Sequence, residues 1–364
     1  ASFALFFSSG VVRFIKIFRQ TIRYNKAFIC AVQDNFRRLF KSHRFTCVHA
    51  RDFHSIIVCE SLCIIKKRAF KTESAFKKHF FVLLHKRRII CRYGFLLNEK
   101  GGVLDDLIIY RLGADRFFLV VNAACAEGDF AALSARVPGM VTDISTRMGK
   151  VDLQGPASID VLEKLLGQNF HDLGYFCFRE CEFRGRPLRV SRTGYTGELG
   201  YELYPPRDMT EELWIALLED ERVKPAGLGA RDTLRLECGL ALYGHELDTE
   251  HTPAEAGMDG MLTSTAPYVG HEYARSIKSQ VLVAMKLEGR RTVRRGDLPG
   301  EAAVIGKVTS GSFAPSLGYA VALAYVDKEY ADRDTFALTA GRSSLIAGKT
   351  ELPFYKNGTA RIKF

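Results

Sequence analysis

Two neighbouring acids, Asp105 and Asp106, stand where a catalytic carboxylate could lie, between a glycine-rich turn and an apolar strand. A carboxylate held there could act as a general acid or base. The pair is also typical of a solvated turn, since acids are common at turn positions. The local sequence leaves both interpretations open.

Three other polar residues occupy positions that a binding site could use. Asn122 ends the apolar run 117–121, where its amide could serve a ligand or bond to its own backbone. Glu202 lies in an alternating strand, in which a surface carboxylate is the ordinary outcome. Arg231 lies near a predicted helix start, which is unfavourable to the helix dipole, so we expect a specific partner. Asp232 or a neighbouring surface acid is the simplest such partner.

The elements that must position these residues are those of an α+β chain. Apolar runs predict buried strands at 107–109 and 117–121, bounded by glycine-containing turns. Alternating segments at 189–192 and 201–204 flank a turn-rich stretch and predict a hairpin that displays Tyr195 and Glu202. After about residue 280 short strands recur with turn signals, which predicts a small all-β C-terminal unit.

Helical periodicity predicts three helices, at 157–166, 209–218 and 230–240. The last would bury Leu234, Leu236 and Leu240. Its charged members are Arg231, Asp232, Arg235 and Glu237.

The positive charge of the chain is confined to its first quarter. The formal net charge is +11, yet residues 1–92 hold 20 Lys/Arg and 4 Asp/Glu, while the rest hold 32 and 37. The first segment also has 14 of the 26 Phe residues, one Gly and no Pro. Such asymmetry indicates a segment of different origin or duty from the remainder.

Three interpretations of residues 1–92 compete. A targeting segment would account for the basic, apolar stretch 11–44. A nucleic-acid or zinc module would use basic residues between Phe side chains, or the group Cys47, His49, His54, Cys59 and Cys63, whose spacing matches no standard finger. A translated non-coding stretch joined to a real coding one would explain the missing turn residues, and it is the interpretation we favour.

Several protein classes lack their usual signals. No apolar run approaches the roughly 18 to 20 residues of a membrane-spanning helix, so we expect no membrane association. There is no Walker A sequence, no nucleophile elbow and no dinucleotide fingerprint. Nine cysteines, an odd number without a disulfide framework, favour a reducing compartment.

Eight ordered segments beyond Tyr93 together resemble one family. They are YGFLLNEKGGVLDDLIIY at 93–110, VVNAA at 120–124, LQGP at 153–156, SRTGYTGE at 191–198, GLGARDTLRLE at 227–237, LYGH at 242–245, VTSGSFAPSLG at 308–318 and LPFY at 352–355. Their order and spacing resemble the T-protein of the glycine cleavage system, an aminomethyltransferase that uses tetrahydrofolate. The resemblance covers about residues 92–364.

The resemblance implies a multi-domain, T-protein-like folate-binding architecture with a small C-terminal β-barrel-like domain. It divides the chain into residues 1–92, which do not resemble the family, a folate-binding core at 93–275 and a C-terminal β domain at 276–364. The family's own N-terminal sequence is not found in residues 1–92. A tryptophan and a Phe-Ile-Gly-Lys segment usual in the family are also missing from 257–271.

The implied reaction moves an aminomethyl carbon from lipoylated H-protein to tetrahydrofolate and releases ammonia. Asp106 matches the essential acid of the family, and Glu202 matches the carboxylate that accepts bonds from the pterin edge. The other cofactor-binding positions implied by the resemblance are Tyr93, Tyr110, Asn122, Tyr195, Arg231 and Arg361. No metal is expected, and neither is nucleic acid as a partner.

Two alternatives remain: a folate-binding iron–sulfur assembly factor of the same fold, or an inactive T-protein-like fragment. The iron–sulfur factor would be expected to carry a reactive cysteine where this chain has Asp106. The resemblance implies the mitochondrial matrix as the location, with the cytoplasm as the alternative if the chain is bacterial.

Overall fold

The computed structural model describes residues 3–8, 60–66, 90–299, 304–340 and 343–364. Four of the five residues in the zinc interpretation, Cys47, His49, His54 and Cys59, lie outside the described residues, as does the predicted targeting stretch 11–44.

The described elements form three sheets and four helices. The strands are β1 Phe3–Ser8, β2 Glu60–Lys66, β3 Cys91–Leu97, β4 Val103–Arg111, β5 Arg116–Asn122, β6 Val141–Asp143, β7 Lys150–Gln154, β8 Phe178–Phe183, β9 Arg186–Ser191, β10 Gly200–Tyr204, β11 Val223–Pro225, β12 Gln280–Leu287, β13 Leu298–Pro299, β14 Gly306–Ala314, β15 Tyr319–Asp327, β16 Thr335–Ala340 and β17 Ser343–Thr350. The helices are α1 Ala126–Arg136, α2 Ser158–Leu166, α3 Thr210–Leu218 and α4 Leu228–Glu237.

The first sheet has the order β3-β4-β5-β2-β6 and is antiparallel throughout. Strand β4 follows the Gly101-Gly102 turn, and both glycines are required there. Gly101 has a φ of 77°, and a Cβ on Gly102 would meet the carbonyl oxygen of Thr249 at 1.9 Å. The tight turn therefore fixes where β4 starts and which of its residues face the core.

Alternation along β4 separates the two neighbouring acids. Val103, Asp105, Leu107 and Ile109 are all buried on one face of the strand. Asp106 therefore points to the opposite face. The strand consequently presents one carboxylate to the interior under helix α1 and the other to the opposite side.

The second sheet has the order β11-β1-β7-β10-β9-β8, and only the β1–β11 pair is parallel. Helices α2 and α3 supply apolar residues to its core, including Leu162 and Leu213. The predicted hairpin is confirmed, because β9 and β10 pair antiparallel with Glu202 opposite Ser191.

The third sheet has the order β13-β16-β17-β12-β15-β14 and forms a nearly closed barrel. Its two ends approach each other where the amide of Val308 donates to Asp297 and that of Ile305 donates to Pro299. This sheet confirms the predicted all-β C-terminal unit, and the chain as a whole has the predicted α+β class.

The helix predictions are right for α2 and α3 and shifted for α4, which begins two residues earlier and ends three residues earlier than predicted. Helix α1 was not predicted, since its segment is weakly amphipathic. In α4, Arg235 and Glu237 are buried, although the pattern placed them among its charged members. Among the described residues, no helix is long and apolar enough to cross a bilayer.

A buried ion pair joins α4 to the barrel. The Arg235 guanidinium, 1% exposed, lies 2.9 Å from the Glu246 carboxylate and donates to Ser310 Oγ on β14 at 2.7 Å. Glu246 is fully buried, and its carbonyl oxygen accepts from Tyr325 OH on β15 at 2.7 Å. Because both charges are shielded from water, each depends on the other for its solvation.

We expect Arg235→Met to lower the free energy of unfolding by about 3–5 kcal/mol, since it leaves Glu246 buried without its cation. Arg222→Met is the matched control, because Arg222 pairs with Asp220 at the surface, and it should cost less than about 1 kcal/mol. Urea denaturation of both variants measures the difference. Equal losses would show that the Arg235–Glu246 pair does not stabilise the junction.

Candidate active site

A cavity of about 520 Å³ lies where the first sheet, the β9–β10 hairpin and the start of α4 meet. Seven of the eight predicted site residues line it. They are Tyr93, Asp106, Asn122, Tyr195, Glu202, Arg231 and Arg361. These residues come from positions up to 268 apart in the chain, so the fold gathers them.

Asp106 faces the cavity and is held by Asn122. The Asn122 Nδ2 donates to Asp106 Oδ1 at 2.9 Å and to its carbonyl oxygen at 3.2 Å. The two residues lie on adjacent strands, since Leu107 pairs with Val121. One predicted acid and one predicted amide are therefore parts of a single hydrogen-bonded unit.

Asp105 holds the same asparagine from the other side. Its Oδ2 accepts from the backbone amide of Asn122 at 2.9 Å, and its Oδ1 accepts from Nδ2 at 2.8 Å. Asp129 of α1 is also buried and lies within hydrogen-bonding reach of Asp105. Sequence reasoning missed Asp129, because nothing local distinguishes it from Glu127, the exposed acid of the same helix.

Burial raises the pKa of Asp105 to about 8, and the charge of Asp129 adds to the shift. Burial likewise raises the pKa of Asp129 to about 6. Two neighbouring buried carboxyls cannot both ionise readily, so the pair shares a proton near neutral pH. Burial also raises the pKa of Cys125, whose thiol therefore stays neutral beside them.

Glu202 lies at the opposite wall of the cavity and is 3% exposed. Its Oε2 accepts from Tyr204 OH at 2.6 Å and from Thr193 Oγ1 at 2.9 Å. Burial acts to raise the pKa of Glu202, but Lys150 and these hydrogen bonds outweigh it, and the pKa is lowered. Glu202 is therefore a buried anion held by polar partners.

The cation that stabilises this anion is Lys150, which is itself 1% exposed. Its Nζ lies 3.1 Å from Glu202 Oε1 and 3.4 Å from Asp152 Oδ1. Asp152 pairs with Glu202 across β7 and β10, so the three groups stack beneath the cavity. Sequence reasoning missed both residues, although a Lys and an Asp two apart in a buried strand were a usable signal.

Tyr110 differs from the other predicted residues, because it is fully buried and is not among the residues that line the cavity. Its hydroxyl lies 3.0 Å from Tyr204 OH, 3.2 Å from Ser191 Oγ and 3.5 Å from Glu202 Oε2. Tyr110 thus packs behind Glu202 and contacts the site through it.

Tyr195 and Arg231 form one wall together. The guanidinium of Arg231 lies over the Tyr195 ring, 4.7 Å from its centroid, and the Tyr195 hydroxyl donates to the carbonyl of Ala241. Asp232, the simplest partner suggested for Arg231, instead pairs with Arg235 at 2.7 Å. The specific partner of Arg231 is therefore an aromatic ring.

The remaining cavity walls are mostly aromatic and apolar. Tyr93 stacks edge-on with Phe95 at 5.4 Å, and burial together with the charge of Asp106 raises the pKa of its hydroxyl. Tyr175 and Met258 also line the cavity. Such walls exclude water and strengthen the electrostatic interactions of the two carboxylates.

A C-terminal tail brings Arg361 to the cavity. Thr359 donates to Glu198 and accepts from the amide of Leu199 at 2.9 Å, and the amide of Ala360 donates to Gly197 at 3.1 Å. Arg361 then lies 5.8 Å from the Tyr175 ring. The tail is thus anchored to the 193–198 turn that also carries Tyr195.

The arrangement suits a flat ligand that is rich in N–H donors and that reacts at an amine nitrogen. Two carboxylates, Asp106 and Glu202, can accept such donors, and the guanidiniums of Arg231 and Arg361 can meet anionic groups. No group of metal-ligating side chains occurs in the part of the chain that the structure describes.

Known proteins with similar sequences match both the cavity-bearing region and the C-terminal sheet of this chain. The family sequence model described as GCVT N-terminal domain matches residues 85–265, and that described as Glycine cleavage T-protein C-terminal barrel domain matches 278–356. An aminomethyltransferase of Exiguobacterium sibiricum is 40% identical over 283 residues, covering 73% of this chain and 76% of the relative. One from Thermotoga neapolitana is 35% identical over 279 residues, covering 74% and 77%.

A crystal structure of glycine cleavage system aminomethyltransferase T from Bartonella henselae is similar in fold. Its TM-score is 0.74 at 30% sequence identity, and the alignment covers 82% of this chain and 85% of that chain. Similarity in sequence and in structure therefore extends over both the cavity-bearing region and the barrel.

We expect Thr359→Val to release the tail, because it removes the hydroxyl that bonds Glu198 and Leu199. The free energy of unfolding should fall by about 1–3 kcal/mol, and limited proteolysis within residues 355–364 should become faster. Thr335→Val, at the exposed first residue of β16, is the control and should change neither. An unchanged cleavage rate in Thr359→Val would contradict the anchoring role.

Proposed function

The chain belongs to the glycine cleavage T-protein family of aminomethyltransferases, and we propose that its cavity holds tetrahydrofolate between Asp106 and Glu202. Membership of the family establishes the activity: the enzyme is an aminomethyltransferase of glycine cleavage. The family is folate-dependent, and the glycine cleavage system is the assembly to which its T-protein belongs.

The cavity is suited to a reduced pterin. Its volume of about 520 Å³ lies within the range of ligand pockets for small organic molecules. A pterin edge presents adjacent N–H donors, and the ionised, fully enclosed carboxylate of Glu202 can accept two of them at once. This buried anion beneath an aromatic slot is the observation that carries the proposal.

Asp106 is proposed as the catalytic acid group. Tetrahydrofolate, when bound, supplies the amine nitrogen that accepts the transferred carbon. Asp106 would orient that amine and stabilise the positive charge developing on it, and the bond from Asn122 Nδ2 keeps the carboxylate in one orientation.

The other predicted residues are proposed to bind tetrahydrofolate or to enclose it. Tyr93 and Tyr195 would cover the pterin faces and exclude water, while Tyr110 would support Glu202 from behind. Arg231 and Arg361 would meet the anionic part of the folate, because a guanidinium binds carboxylates well.

Three further proposals concern the partner, the location and the domains of the protein. We propose that lipoylated H-protein delivers the aminomethyl group, with neither nucleic acid nor membrane as a partner, and that the domains are 1–92, 93–275 and 276–364. The family match begins at residue 85, within the segment that did not resemble the family. The reported relatives are bacterial, which favours the cytoplasmic alternative over the mitochondrial matrix.

The iron–sulfur assembly alternative is disfavoured by the two cysteines at and beside the site. Burial raises the pKa of Cys91, which lines the cavity, and burial and the adjacent aspartates raise the pKa of Cys125, so both thiols are poorly nucleophilic. The alternative of an inactive fragment is decided by assay: production of methylenetetrahydrofolate from tetrahydrofolate and aminomethylated H-protein excludes it.

We expect Asp106→Ala to lower kcat by about 10²–10⁴ while leaving the Kd for tetrahydrofolate nearly unchanged, because the carboxylate acts on the reacting amine. Asp115→Ala, in the exposed β4–β5 turn, is the control and should behave as the wild type. The formation of methylenetetrahydrofolate measures kcat. Wild-type turnover in Asp106→Ala would remove this residue from the mechanism.

We expect Glu202→Gln to weaken tetrahydrofolate binding by about 1.5–3 kcal/mol, since it replaces charge-assisted bonds by neutral ones. Isothermal calorimetry gives the affinity directly. Glu182→Gln, exposed on β8, provides the matched control. If both variants bind as the wild type does, Glu202 does not contact the pterin.

A further inference from the structure

We propose that Asp105 is a positioning residue that fixes Asn122, and through it the catalytic Asp106. This inference rests on the proposed function of Asp106. It assigns a role to the first acid of the pair, which faces away from the cavity.

The hydrogen bonds determine the orientation of the Asn122 amide. Its Nδ2 lies within 2.8–3.2 Å of three oxygen atoms, one from Asp105 and two from Asp106. An Oδ1 at that position would face only acceptors, so the nitrogen must be there. Asp105 takes one amide hydrogen, and Asp106 shares the other between two oxygens.

The backbone is held as well as the side chain. Asp105 Oδ2 accepts from the main-chain amide of Asn122 at 2.9 Å, at the last residue of β5. The two oxygens of Asp105 therefore grip Asn122 at two points. A strand end held by two hydrogen bonds has little freedom to rotate, so the hydrogen bond from Asn122 to Asp106 keeps one geometry.

The orientation also decides what Asn122 can offer a ligand. With Nδ2 occupied by carboxylates, Oδ1 is the atom left for the cavity that Asn122 lines. Among the described residues, no donor bonds to that oxygen. Asn122 should therefore accept a hydrogen bond from bound tetrahydrofolate.

The groups that surround Asp105 explain why a proton is retained there. Asp106 on β4, Asp129 and Cys125 at α1, Tyr93 on β3 and Tyr243 of the 240–243 loop all interact with it or with its partners. All are acids or weak acids, so ionising Asp105 adds charge to a site that has negative charge already. Burial and the neighbouring Asp129 accordingly raise the pKa of Asp105 to about 8.

The sign of the pH effect follows from this raised pKa. The stability that Asp105 contributes is complete below the pKa of an unfolded Asp, near 4, and is lost as pH rises towards about 8. Above that pH, the hydrogen bonds of Asn122 favour the charged form of Asp105, but repulsion between Asp105 and Asp129 displaces the carboxylate and changes the orientation of Asn122. We therefore expect kcat to decline on the alkaline side.

Two isosteric variants test the proposal in the full-length chain. Asp105→Asn has one acceptor instead of two, so it should lower the kcat plateau by about tenfold or more, change KM for tetrahydrofolate less, and abolish the alkaline decline. Asp129→Asn donates to Asp105 without a titrating proton, so it should keep the plateau and also abolish the decline. Asp115→Asn is the control for charge and should match the wild type.

A second readout is independent of activity. Carbon-13 NMR of aspartate-labelled protein should show a carboxyl that titrates near pH 8, absent in Asp105→Asn and shifted to lower pH in Asp129→Asn. In Asp105→Asn, the unfolding free energy should also depend less on pH between about 4 and 8.

The outcomes separate the two proposals. A wild-type chain that forms no methylenetetrahydrofolate contradicts the proposed function, whereas the NMR titration still tests the shared proton. A kcat plateau in Asp105→Asn within about twofold of the wild type, with a superimposable pH profile, overturns the positioning role. If Asp105→Asn does not fold, an Asp129→Asn protein with unchanged pH profile and titration overturns it instead.

Discussion

The charge of Glu202 is the constraint on which the cavity depends. A carboxylate with 3% exposure is stable only if a cation and hydrogen-bond donors replace the water it has lost. Lys150 at 3.1 Å and the hydroxyls of Tyr204 and Thr193 do this, and all three lie on or beside the second sheet. The pairing of β7 with β10 is therefore as necessary to the site as any residue that touches the cavity.

The opposite wall follows the reverse principle. Asp105 and Asp129 have no comparable cation among the residues described as acting on them, and their pKa values rise until they share a proton. One wall of the cavity thus keeps Glu202 ionised by pairing it with a cation. Behind the other wall, Asp105 stays protonated because it is buried beside another carboxyl. Asp106, the next residue along β4, faces the cavity instead, because successive side chains of a strand point to opposite sides.

Sequence reasoning reached the walls of the cavity but not the layer behind them. Asp106, Asn122, Tyr195 and Glu202 were predictable because they stand in segments whose order and spacing resemble one family. Asp129 was not, because burial of a charge depends on what packs over it from distant parts of the chain. The same limit applies to Arg235, which a helical pattern places among surface charges and the barrel covers.

The N-terminal segment shows a different limit of the sequence. Its composition predicted a part unrelated to the rest, and most of it lies outside the described residues. Two short stretches of it are strands within the sheets: β1 between β11 and β7, and β2 between β5 and β6. A composition bias describes a segment as a whole, whereas strand pairing needs only six or seven residues of extended backbone.

The anchoring of the tail has a consequence for the order in which the enzyme matures. Arg361 lines the pocket together with residues from 90–122, so the pocket is completed by parts of the chain that are far apart in sequence. A ribosome that has made the β9–β10 hairpin and even the barrel has not yet made this arginine. Such long-range closure is slow to form, and the nascent polypeptide holds an open, unfinished pocket until Arg361 has been added.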